Sequence, residues 1–74
     1  MNNDRRKIIQ QAVQLASQAK DLLQQAAEEE QEYFDNMPEG LQGSERGTKA
    51  EEDATTLSDA ASSLEDIESN LSEF

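Results

Sequence analysis

Four residues limit what this chain can become. Pro38, Gly40, Gly43 and Gly47 are its only proline and glycines, and all lie between positions 38 and 47. The flanking stretches, 1–37 and 48–74, contain no helix breaker. In both, apolar residues recur at alternating steps of three and four, which places them on one face of a helix. The pattern predicts an all-α fold: an antiparallel helical hairpin forming a single domain over 1–74. Helix one is expected over about 4–36, a loop over 37–47, and helix two over about 48–73.

Asn2, Asn3 and Asp4 offer side-chain oxygens to the free amides of a first turn. In helix one, Ile8, Ala12, Leu15, Ala19, Leu22, Ala26 and Tyr33 trace an Ala/Leu heptad seam, and Ile9, Ala16 and Leu23 form an adjacent row. Pro38 disfavours helical backbone at Met37, so the helix should end near Asn36. Thr48-Lys49-Ala50-Glu51 has the form of a capping box and predicts the start of helix two. Ala50, Ala54, Leu57, Ala61, Leu64 and Leu71 continue as a second seam, widened by Ala60, Ile67 and Phe74. At ~1.5 Å per residue, roughly 26 residues of helix two return to about Ile9. Phe74 is then expected over Ile8 and Ile9, with Glu68 or Glu73 facing Arg5 or Lys7.

Apolar residues make up only 34% of the chain, and nine of them are alanine. So little branched side chain makes a lone hairpin marginal. The surplus apolar rows therefore predict association into a helical bundle, as a homodimer or higher oligomer, or a surface for another protein.

With 17 acidic and 6 basic residues the net charge is −11. Such a charge opposes contact with nucleic acid or an anionic membrane and favours a partner protein with a basic surface. The absence of cysteine and histidine removes thiolate chemistry, disulfides and the commonest neutral-pH acid–base group. No apolar run approaches the ~18–20 residues of a membrane span. No apolar run follows Arg5-Arg6-Lys7 either, as a signal peptide requires, so a cytoplasmic location is expected. No catalytic residue, metal site or cofactor is predicted. Glu28, Glu29 and Glu32 are the carboxylates nearest to a divalent-ion cluster, but no EF-hand phrase accompanies them.

Glu28, Glu29, Glu30 and Glu32 crowd the end of helix one, where the helix dipole disfavours them. Glu51, Glu52, Asp53 and Asp59 give helix two a matching acidic surface. Together they form the candidate partner-binding surface; an ordinary solvated acidic face is the alternative. Tyr33, Phe34, Asp35, Asn36 and Arg46 form a loop candidate site, which can equally be an apolar cap on the hairpin end. The loop glycines permit positive φ, and amides at Gly47-Thr48 can hold an anion. Arg46 is expected to pair with Asp35, Glu39 or Glu45. An anion-binding alternative uses Arg5, Arg6, Lys7 and Arg46, brought together by symmetry.

The segment Glu30-Gln31-Glu32-Tyr33-Phe34-Asp35-Asn36-Met37-Pro38-Glu39-Gly40-Leu41-Gln42-Gly43-Ser44-Glu45-Arg46-Gly47 resembles small acidic helical proteins encoded in bacteriophages and prophages. Those share an acidic–aromatic–Asp-Asn-hydrophobic-Pro-Glu phrase, then Gln and Ser-Glu-Arg-Gly, between two acidic helices. The helices here are richer in Gln, Ser and Thr. The resemblance implies a phage accessory protein rather than an enzyme, acting in the host cytoplasm. The expected function is a non-enzymatic module that binds, and as a DNA-mimic-like polyanion inhibits, a host protein. The alternatives are a structural or assembly bundle, or an oligomeric sponge for a small anionic nucleotide.

Overall fold

The computed structural model describes all 74 residues. It contains three helices and no strand: α1 (Asn3–Asp35), α2 (Glu39–Gln42) and α3 (Glu45–Leu71). No helix is long and apolar enough to cross a membrane. α1 starts where the Asn2 side chain accepts the Arg5 amide at 2.8 Å, which satisfies one of the free donors of the first turn. It ends at Asp35, and the Asn36 amide still donates to the Glu32 carbonyl. Pro38 then turns the chain, with φ −56° and ψ 145°.

The connection is more ordered than a bare loop. Its middle is the single helical turn α2, closed by the Leu41 and Gln42 amides donating to the Pro38 carbonyl at 2.8 and 3.2 Å. The Gln42 side-chain amide donates to the Phe34 carbonyl at 3.2 Å, tying this turn back onto the end of α1.

The second long helix begins earlier than the Thr48 capping box predicts. Ser44 is the cap: its hydroxyl accepts the Gly47 amide at 3.3 Å and donates to the Leu41 carbonyl. Thr48 lies inside the helix, its amide donating to the Ser44 carbonyl at 2.9 Å. The role of glycine differs too. No glycine has positive φ. Gly47 is needed for room, because a Cβ there would strike the Gln42 carbonyl oxygen and lie 2.6 Å from that of Leu41. Backbone atoms cannot swing aside, so only glycine lets α3 sit this close to the end of α2.

α1 and α3 pack head to tail. Residues 27–31 face 54–59, Lys20 meets Glu68, and 9–14 face 71–74. The result is a rod of 59 × 14 × 13 Å. Four residues are buried, Gly47, Ala50, Ala54 and Ala61, all on α3. α1 contributes none. Ala50, Ala54 and Ala61 are closed off at this contact, whereas Ala16 and Ala27 of α1 and the larger residues of both helices are only half covered, with no third layer beyond.

The covered face of α1 is not the expected one. Ile9, Val13, Ala16, Leu23, Ala27 and Phe34 are half-buried, together with the polar residues Lys20 and Glu30. Ile8, Leu15 and Leu22 are 66%, 63% and 66% exposed, and Ala12 and Tyr33 are exposed as well. Ala19 and Ala26 are half-buried, at the border between the two rows. The row read as secondary is thus the one against α3. Val13, Ala27 and Phe34 decide between the two, since they lie beside the Ile9–Leu23 row on the side away from the Ile8–Leu22 row.

Candidate interaction surfaces

An antiparallel helix pair has two flanks, each built from both helices. Gln31 of α1 and Ser58 of α3 line one shallow groove with Glu28, Thr55 and Asp59, which identifies the first flank. Stepping by sevens from Gln31 along α1 gives Gln24, Ser17 and Gln10, and from Ser58 along α3 gives Glu51 and Glu65. This flank is polar throughout. The opposite flank carries Ala12, Ala19 and Ala26, with Ile8, Leu15 and Leu22 beside them on α1, and Ala60 and Ile67 on α3. The hairpin is therefore two-sided, with one polar and acidic flank and one aliphatic flank.

The acidic candidates divide accordingly. Glu28 and Asp59 meet across the polar groove. Glu51 and Glu52 line an adjoining hollow that shares Thr55 with it, so these four form one strip. Glu29 and Glu32 are exposed on α1, Glu29 accepting from the Gln25 side chain at 3.3 Å. Glu30 and Asp53 are half-buried. Asp53 is held by Lys49 at 2.8 Å. That hydrogen bond, together with the carboxylate's charge, raises the Lys49 ammonium above its ordinary 10.5. No three acidic groups converge as a metal ion would need.

The loop candidates are only partly gathered. Tyr33, Asn36 and Arg46 line a shallow cleft with Met37, Pro38 and Leu41. Phe34 is half-buried, and Asp35 accepts from Gln31 at 3.0 Å. Arg46 makes no ion pair with Asp35, Glu39 or Glu45: the salt bridges are Lys20–Glu68 and Lys49–Asp53. The Gly47 and Thr48 amides are both taken by Ser44, which leaves none for an anion there. Arg5, Arg6 and Lys7 stand near the start of α1 and Arg46 at the connection, so one rod does not cluster them.

Nor does the register bring Glu68 or Glu73 to Arg5 or Lys7. Glu68 faces Lys20 instead, at 3.5 Å, with both side chains about four-fifths covered. Its Oε1 is sealed from solvent and has no hydrogen bond, so the attraction is Coulombic. Desolvation cancels much of such a pair's gain, whereas removing one partner leaves a covered charge uncompensated. Phe74 lies beside Ile9, Val13 and Leu71, while Ile8 stays uncovered.

Two features escape a reading of the sequence alone: the exposure of the Ile8–Leu22 row, and the Lys20–Glu68 pair. A signal for the second is present. Val13, Lys20, Ala27 and Phe34 form a row in steps of seven, and Lys20 is its one charged member. A charge held within an otherwise apolar row calls for an opposite charge on the facing helix.

Comparison with known proteins finds no matching family model, no matching curated protein and no matching solved structure.

Proposed function

We propose that the protein is a non-enzymatic interaction module that grips a basic protein surface with its polar flank. The observation that carries this reading is the strip formed by Glu28, Asp59, Glu51 and Glu52, drawn from both helices, with no lysine or arginine lining its two hollows and Lys49 beside Glu52 at one end. Exposed carboxylates spaced along a helical rod suit a site built for a polyanion, and their field speeds encounter with a basic partner. That the partner is a host protein of a phage, and that binding inhibits it, rests on the likeness of residues 30–47 to phage-encoded proteins.

The test is capture from bacterial lysate by the wild-type chain and by a variant carrying E28Q, E51Q, E52Q and D59N. A partner held by the wild type at low salt, released at high salt and missed by the variant supports the proposal. Equal capture by both chains refutes it.

A further inference from the structure

We infer that the aliphatic flank of α1 is the contact for a second copy of this chain, with the two α1 helices antiparallel. This goes beyond the proposed function, because it uses the opposite flank and leaves the acidic strip outside.

The flank consists of two rows in steps of seven. One runs Ile8, Leu15, Leu22 and then Glu29; the other runs Arg5, Ala12, Ala19 and Ala26. The three branched residues are each about two-thirds exposed, and the stripe from Ile8 to Ala26 is about 27 Å long. A row of large residues beside a row of alanines is self-complementary, since a two-fold axis sets each large residue of one copy against an alanine of the other.

One alignment satisfies every position. Ile8 faces the partner's Ala26, Ala12 the partner's Leu22, and Leu15 the partner's Ala19. The same alignment places Arg5 against the partner's Glu29, once at each end. Sliding by one heptad in one direction sets Arg5 against the partner's Leu22. Sliding in the other direction sets Glu29 against the partner's Ala12. Charge complementarity therefore selects both the occupant and the register, as flanking charges do in paired helices.

The test is sedimentation equilibrium on the full chain, with helix content followed by circular dichroism. The wild type is expected at twice its 8.2 kDa mass. Leu15→Glu, at an exposed site, is expected to keep its helix content and to weaken the dimer by roughly 100-fold or more, as loss of a central apolar anchor does. Arg5→Glu and Glu29→Arg are each expected to weaken it by roughly 3–10-fold, and the double variant to regain wild-type affinity. A wild-type monomer at high micromolar concentration overturns the proposal, as does a dimer indifferent to Leu15→Glu. Failure of the double variant to recover overturns the register. None of these outcomes bears on the acidic strip, which all of these variants retain.

Discussion

α1 and α3 are similar in length and pack along one another, yet every buried residue belongs to α3. Side-chain size is only part of the difference, since Ala16 and Ala27 of α1 are also small yet stay half-buried. α3 presents Ala50, Ala54 and Ala61 to α1, each closed off from solvent, and Gly47 to the end of α2. α1 presents Ile9, Val13, Leu23 and Phe34, whose far sides need a further layer. In a two-helix protein the small residues set how closely the backbones approach, and the large ones supply the apolar area. Replacements should therefore fail in opposite ways: the buried small residues of α3 tolerate no added atoms, and the large covered residues of α1 tolerate no removed ones.

The largest expected effect follows from placing a charge where α3 is closed. Ala54→Glu should cost about 3 kcal/mol or more, read by urea unfolding, because the carboxylate has no partner at that site. Next comes Gly47→Ala. Alanine is the better helix former by about 1 kcal/mol, yet the new Cβ would strike the Gln42 and Leu41 carbonyls. A net loss of about 1–2 kcal/mol is expected, as for other overpacked sites. Gly40→Ala and Gly43→Ala meet no atom within 4 Å and should be neutral or stabilising by up to about 1 kcal/mol. Equal behaviour of the three glycines would break the distinction.

On the α1 side, Lys20→Ala should cost about 1–2 kcal/mol by leaving the Glu68 carboxylate covered and unpaired, whereas the double change to Met at both positions should cost less than either single change. The smallest effect concerns Lys49. Its ammonium is raised above the ordinary value by Asp53, so the pair's contribution is present below the unfolded pKa and lost as pH rises through the folded one. Stability should thus be insensitive to this pair's titration near neutrality. Asp53→Asn should lower the Lys49 titration midpoint toward 10.5, measured by NMR.

Two long helices joined near residues 37–47 were legible from the placement of proline and glycine alone. Ala50, Ala54 and Ala61 were legible too, because α3 carries one dominant apolar row. α1 carries two rows offset by one residue, of nearly equal apolarity. The choice between them depends on Val13 and Phe34, and on the polar residues Lys20 and Glu30 occupying covered positions, which a search for apolar periodicity passes over. The start of α3 was hidden because Glu45-Arg46-Gly47 reads as loop; only the proximity of α2 explains a glycine in a first helical turn. The acidic strip was visible as composition, but not that Glu28 and Asp59 would line one groove while Glu30 is partly covered and Asp53 is held by Lys49.

The connection ties both long helices through Gln42 and Ser44, whereas the opposite end of the rod has Leu71 and Phe74 beside Ile9 and Val13 and no side-chain hydrogen bond between the helices. Contacts in such a rod are made only with near neighbours along its length, so it need not melt all at once. Amide protons should exchange fastest near the two termini and slowest beside the turn, with protection rising steadily between them.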